Sequence, residues 1–356
     1  MKEPLRRAGA FQRRNGLDLP ILLAPMAGAC APSVSIAIAN AGSMGACGAL
    51  LMKPGEISAW ASEVRAASNG NFQMNLWIPD PPPHRDADHE ARVRAFLAQW
   101  GPDIPAEAGD ATPPNFADQC QALLDIKPPV VSSVMGLYPA EFVAEMKRRG
   151  IQWFATITTL AEARAAAAAG ADAVIAQGME AGGHRGAFEA QNAERRLVGL
   201  FSLLPAVADA VKIPVLAAGG IADARGVVAA LALGASAVLI GTGFLRCPEA
   251  KISSAWADAL ARTAPEDTII TRAFSGRAGR SIATDYVRAA SATDAPAPAP
   301  YPVQRGLTAA MRADAAKNGD LRRMQAWAGQ SAALAQSIPA ADLIRQIWAE
   351  ARAMLE

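Results

Sequence analysis

The chain has 356 residues and a formal net charge of +1, with 51% apolar and 19% charged residues. That length and apolar content suit one large α/β domain or two smaller ones with a substantial core. The near-neutral balance supplies no field for nucleic acid or an acidic surface, so neither is expected as a partner. Cys30, Cys47, Cys120 and Cys247 are scattered, with no CxxC pair, which argues against a zinc site or a disulfide framework and for a reducing compartment. The first residues lack an apolar signal core and no apolar run is long enough to span a bilayer, so a cytoplasmic protein without a membrane partner is expected.

Taken in order, the basic pairs Arg6-Arg7 and Arg13-Arg14 read as solvated terminal residues. Short Ile/Leu/Val-rich runs then predict strands at 21–23, 44–48, 72–76, 130–134, 153–157, 173–176, 214–217 and 237–240. Helices are predicted between them at 33–41, 56–68, 139–149, 160–169, 200–210 and 224–233. Continuous apolar strands alternating with helices mean parallel strands covered on both faces. About eight such units fit a closed (β/α)8 TIM barrel better than an open sheet. Two stretches repeat one form, AAGADAVIAQG and ALGASAVLIGT: a helix end, a glycine, a buried strand and a glycine-rich loop. Gly170 and Gly234 are the expected left-handed residues that close those helices.

Two segments break the repeat. Residues 77–129, beginning WIPDPPPHRDADHE, form an insertion after the third strand; its His84 and His89 read as surface residues, since no cysteine stands at metal spacing. Residues 291–302, SATDAPAPAPYP, read as an extended connector. Helical stretches follow at 307–317, 320–335 and 340–355. The division is therefore a barrel over 1–290 carrying the insertion, and a connector with a helical extension over 291–356 that packs on it.

In such a barrel the chemistry sits at the carboxyl ends of the strands. The residues there are Ala24-Pro25-Met26-Ala27-Gly28, Asn75, Gln177, Gly182-Gly183-His184, Ala218-Gly219-Gly220 and Gly241-Thr242-Gly243. Glycine turns after the seventh and eighth strands expose backbone N–H groups beside a helix start and so hold a phosphate, with the Thr242 hydroxyl as a further donor. A phosphate here commonly belongs to FMN. Asn75 and Gln177 carboxamides match the donor–acceptor edge of its ring, while backbone near Met26 and Gly28 approaches the ring closely. The bland alternatives are a strand-ending turn at Asn75 and a solvated loop at Gln177.

His184 is one of three histidines. A histidine satisfied within the core is the ordinary alternative, but flanking glycines leave few side chains to pack on it. With an ordinary imidazole pKa near ~6.5 it suits removal of a proton from a carbon beside an electron-withdrawing group.

These residues resemble the nitronate monooxygenase family, formerly called 2-nitropropane dioxygenases, over nearly the whole chain. The resemblance rests on APMAG at 24–28, NAGSMGACGA at 40–49, MNL at 74–76, VIAQGMEAGGHRG at 174–186, AAGGIADARG at 217–226 and IGTGFL at 240–245. It continues through TRAFSGRAGRS at 271–281, YPVQRGLTAAMR at 301–312 and MQAWAGQSA at 324–332. It implies a barrel with non-covalent FMN that oxidises alkyl nitronates such as propionate 3-nitronate, or nitroalkanes, with O2. His184 matches the family's base. Asn75, Gln177, Gly182, Gly220, Gly241 and Thr242 match flavin-binding positions, Met26 lies in the first flavin-contacting loop, and Tyr301 matches a tyrosine on the substrate side. Two departures stand out. The SFHFG common after the fourth strand is Ser132-Ser133-Val134-Met135-Gly136 here, and a glutamine before the phosphate loop is Leu239.

Two other readings stay open: an FMN barrel that reduces quinones or enoyl thioesters with NAD(P)H, and a flavin-free phosphate-binding isomerase or aldolase. Against the last, no lysine stands at a strand end as a Schiff-base candidate; Lys53, Lys127 and Lys212 lie in connections. No metal site is expected, and a homodimer is compatible with the sequence.

Overall fold

The computed structural model describes residues 2–356. Eight strands form one parallel sheet: β1 (Ile21–Leu23), β2 (Gly45–Gly48), β3 (Phe72–Trp77), β4 (Val130–Val134), β5 (Gln152–Ile157), β6 (Ala173–Gln177), then, after a short β7 (Gly183–His184) outside it, β8 (Val215–Ala218) and β9 (Ala237–Ile240). The ladder runs β1-β9-β8-β6-β5-β4-β3-β2. The Leu23 N–H donates to the Met44 carbonyl at 3.0 Å, bringing the two end strands together as a (β/α)8 barrel. These strands lack alternation because both faces are buried, helices covering the outside and side chains filling the inside. Leu22, Val130, Phe154, Leu216 and Leu239 belong to the inner cluster.

Helix positions follow their local signals. Thr159 and Glu162 form a capping box before Leu160–Ala168, and Asp223 caps Ala224–Ala232 by accepting from Gly226 N–H, each satisfying orphan first-turn donors. Gly170 and Gly234 take the expected positive φ, +92° and +115°.

Several expectations give way. The basic N-terminal residues belong to a helix, Lys2–Asn15, that lies across the amino-terminal end of the barrel. Phe11 enters the inner cluster against Phe154, and the Arg7 guanidinium donates to the carbonyls of Leu231 and Ala235 at the end of Ala224–Ala232. Charge alone hid this amphipathic stretch. The expected insertion divides: Trp77 completes β3, and Phe116–Ile126 packs against Pro54–Ala67 as an ordinary barrel helix. The intervening part, with helix Ala87–Leu97, joins the C-terminal helices Val303–Leu307 and Ala309–Asn318 in a second core around Val93, Leu97, Phe274, Tyr286 and Met311.

The expected 320–335 helix is mostly irregular, with one short turn at Ala332–Leu334. Its backbone bonds other segments instead: Gln330 N–H donates to Glu180 O, and Ala328 N–H to Arg280 O and Ile282 N–H to Ala326 O bracket an antiparallel bridge between Ser281 and Trp327. Periodicity could not see those partners. A three-stranded antiparallel sheet of β10 (Thr268–Thr271), β11 (Gly279–Ile282) and β7 was not anticipated either. No helix among the described residues is long and apolar enough to cross a membrane.

The last helix, Ala340–Leu355, lies against the barrel helices Pro32–Asn40 and Ala224–Ala232, with Leu343, Ile344 and Ile347 buried. Ile344→Ala should therefore destabilise the barrel itself by about 2–5 kcal/mol. Urea unfolding followed by far-UV and tryptophan signals should shift as one transition; a separate early transition would make the helix an appendage.

Candidate active site

A cavity of about 390 Å³ opens where the barrel strands end. Ladder register aligns Gly48 with Asn75, Asn75 with Ser132, and Gln177 with Ala218. Residues distant in sequence therefore share one rim. Met26, Gly28, Asn75, Gln177, Gly182, Gly183, His184, Gly219, Gly220, Gly241 and Thr242 all line the cavity. Tyr301 does not: its ring stands behind the lining residue Trp77, centroids 5.5 Å apart.

One side of the cavity is a glycine cradle. Gly219 and Gly220 have φ of +106° and +71°, a turn that ordinary side chains resist. Thr242 Oγ1 accepts from Gly329 N–H at 3.0 Å, which leaves the hydroxyl proton free to donate. A Cβ on Gly182 would stand 2.4 Å from Gly329 N and 2.6 Å from the Ala328 carbonyl carbon. Only glycine lets the 324–332 segment approach this loop and Thr242 so closely.

Asn75 is 7% exposed and donates through Nδ2 to Ser132 Oγ at 3.1 Å. Its Oδ1 makes no bond among the described residues and faces the cavity as an unused acceptor. Gln177 also bonds within its own loop. Its Nε2 donates to His184 O at 3.0 Å, while Oε1 accepts from Gly186 N–H at 2.8 Å. The carboxamide thus ties down the His184 loop. Met26 holds the first loop, its carbonyl accepting from Ala29 and Cys30 N–H. Leu239 joins the inner apolar cluster, and Val134 adds apolar wall.

The loop around His184 is far from bare. The imidazole sits between Trp77 and Trp327, ring centroids 4.6 and 4.7 Å away. Its Nε2 lies 2.7 Å from Ser275 Oγ, and no partner among the described residues holds Nδ1. Burial, reinforced by the positive charges of Arg277, Arg305 and Arg312, lowers its pKa to about 3. The ordinary value expected from sequence is therefore corrected: desolvation and three nearby guanidiniums both penalise the imidazolium.

Those guanidiniums were missed in the sequence. Arg312 donates to Thr308 Oγ1, Gln325 Oε1 and Arg305 O, all neutral acceptors; burial lowers its pKa to about 10. The Arg305 side chain has no hydrogen bond or ion pair among the described residues, and burial lowers its pKa too. Arg305, Arg312, Gln325 and Trp327 all line the cavity. The Tyr301 hydroxyl is buried without a hydrogen-bond partner among the described residues, and burial raises its pKa. The motifs TRAFSGRAGRS, YPVQRGLTAAMR and MQAWAGQSA contained Ser275, the two arginines and Trp327. Nothing local showed that they meet His184.

No group of His, Cys, Asp and Glu that could hold a metal occurs among the described residues. The four cysteines are buried and unpaired, and burial raises each thiol pKa.

The electrostatics give a direct check. With its pKa near 3, His184 stays neutral from pH 8 down to pH 5. Its ring ¹⁵N signals, identified by their loss in His184→Asn, should show no protonation over that range; a midpoint near ~6.5 would contradict the shielding. The same shift makes folding acid-sensitive. Protonation is stronger in the unfolded chain, so stability falls as pH drops from the unfolded value toward 3.

Residues 15–350 match the protein family described as Nitronate monooxygenase. A nitronate monooxygenase of Paraburkholderia phytofirmans is 39% identical over 351 residues, covering 96% of this chain and 94% of that protein. One from Pseudomonas aeruginosa is 35% identical over 347 residues, covering 96% and 99%. Among solved structures, nitroalkane oxidase from Streptomyces ansochromogenes superposes with a TM-score of 0.87 at 35% identity, covering 98% of this chain and all of that one (100%). FabK from Thermotoga maritima gives 0.75 at 29%, covering 97% and 96%. With the family match spanning nearly the whole chain, and the barrel, glycine cradle and His184 loop in place, this protein belongs to the nitronate monooxygenase family.

Proposed function

We propose that the protein holds FMN in the glycine cradle and oxidises nitronates with O2, taking them as preformed anions. The single observation that carries the anionic preference is Arg305, a guanidinium without a counter-ion among the described residues, at the cavity beside a histidine whose pKa is about 3. A site with unpaired positive charge and a neutral imidazole favours an anion electrostatically.

The residues fit the cofactor. Gly219, Gly220, Gly241 and Thr242 offer backbone N–H groups and a hydroxyl for its phosphate. The unused Asn75 Oδ1 suits a ring N–H, and Met26 and Gly182 border the cavity. Bound FMN supplies the redox chemistry with O2. The chain's own residues bind, orient and shield. Arg305 and the free Nε2 of Gln325 draw in the nitronate oxygens, and Trp77 and Trp327 exclude water beside the reacting carbon. His184 presents Nδ1, held by Ser275 on its other nitrogen. A proton acceptor whose conjugate acid has a pKa near 3 is a weak base for a neutral nitroalkane.

Purified protein should show an oxidised-flavin absorption spectrum, with FMN released on heating; a colourless protein that takes up no FMN would break this reading. On loaded enzyme, kcat/KM for a preformed nitronate should exceed that for its nitroalkane by at least about 100-fold, the size of a general-base contribution. Arg305→Gln should raise KM for the nitronate by about 10-fold or more, from loss of a hydrogen bond to charge. Likeness to FabK supports a second reading as an NAD(P)H-dependent reductase, which anaerobic bleaching of the flavin by NADH or NADPH would favour.

A further inference from the structure

The segment that follows β3 reaches the active site through an ion pair that the reading above leaves without a role. Arg277 is 2% exposed. Its Nε donates to Asp80 Oδ2 at 2.8 Å, its Nη2 donates to Asp80 Oδ1, and its Nη1 donates to Ala187 O at 3.3 Å. Asp80 is its only carboxylate partner among the described residues. Two residues before Arg277, Ser275 Oγ lies 2.7 Å from His184 Nε2. Ser275 is fastened to Arg277 itself: its Oγ accepts from Arg277 N–H and donates to Arg277 O, each at 3.3 Å. The next residues complete the hold, with Arg185 N–H donating to Ala278 O at 2.9 Å and Gly279 pairing with His184 in the small sheet.

We propose that Asp80 is a positioning residue for His184. It fixes the Ser275–Arg277 turn through the buried guanidinium and pairs one of the cations near the imidazole. The same strand end grips His184 from a second side, because Trp77, three residues earlier, packs on the ring. The proline-rich sequence from Ile78 to Pro83 thus forms part of the machinery. Asp80 does not itself line the cavity, and it acts through Arg277 and Ser275.

Removing one partner of a buried ion pair strands the other charge, and the turn must shift to let water reach it. A displacement of about 1 Å at a reacting group can cost on the order of 100-fold in rate. Asp80→Asn keeps the shape and loses the charge; Asp80→Glu keeps the charge on a longer arm.

The test rests in part on the proposed nitronate activity, so it has one arm that needs no turnover. In FMN-loaded protein labelled with ¹⁵N-histidine, the His184 ring signals report the Ser275 bond directly. Ser275→Ala should move them. Asp80→Asn should move them in the same direction, and Asp80→Glu should return them most of the way. In the kinetic arm, Asp80→Asn should lower kcat on a preformed nitronate by about 10-fold to 100-fold with KM within twofold, and should add little once Ser275→Ala is present, since both act on one path. Should Asp80→Asn not fold, Asp80→Asn with Arg277→Gln removes the stranded charge and carries the same expectation. Unmoved His184 signals in Asp80→Asn would overturn the proposal, as would an equal kcat loss with and without Ser275. If no variant and no wild-type enzyme oxidises a nitronate, the functional reading fails while the spectroscopic arm still decides the positioning role.

Discussion

Eight strands hydrogen-bonded in parallel must end on one rim, and the rest of this molecule depends on that constraint. The ladder sets Gly48, Asn75 and Ser132 side by side, and Gln177 beside Ala218. Loops leaving those positions converge on one cavity. The barrel interior is filled with apolar side chains, so the rim rather than a pore is the place where polar groups and open space coexist. The helix Lys2–Asn15 covers the opposite end.

What closes the rim is contributed from outside the repeat. Segment 324–332 lies so close to Gly182 that a Cβ would overlap it, and it carries Trp327 to His184. The antiparallel sheet of β7, β10 and β11 lets the 275–280 region grip the same loop. The second core, built from the segment after β3 and the C-terminal helices, supports Arg305 and Arg312. These additions line the pocket at the barrel end with aromatic and positively charged walls. In low dielectric, an unpaired guanidinium and a neutral imidazole discriminate by charge more sharply than they do in water. Arg305 and Ser275 thereby give His184 its character as much as its own sequence neighbours do.

Much was legible in the residues themselves. Unbroken apolar runs such as ILL at 21–23 and AVLI at 237–240 read as strands buried on both faces, and the glycines after β8 and β9 have a conformational reason visible in the letters. Those local facts led to the barrel and to every cavity-lining residue selected from it. The reading failed where neighbours come from afar. Flanking glycines made His184 look bare, because Trp77 and Trp327 lie 107 and 143 positions away in the chain. Gln177 lines the cavity as its position suggested, and the sequence did not show that its carboxamide also binds the His184 loop. The alanine-rich 320–335 stretch looked helical, yet its backbone finds better partners on Glu180, Arg280 and Thr242.

The sequence by itself determined the barrel, the rim where the cavity opens and the family, because strand burial, turn glycines and short motifs are encoded locally. Only the tertiary structure decided the charge state of His184, which cations face the cavity, and that Asp80 reaches the site through Arg277. Desolvation and Coulomb interaction depend on distances between side chains that no spacing along the chain records.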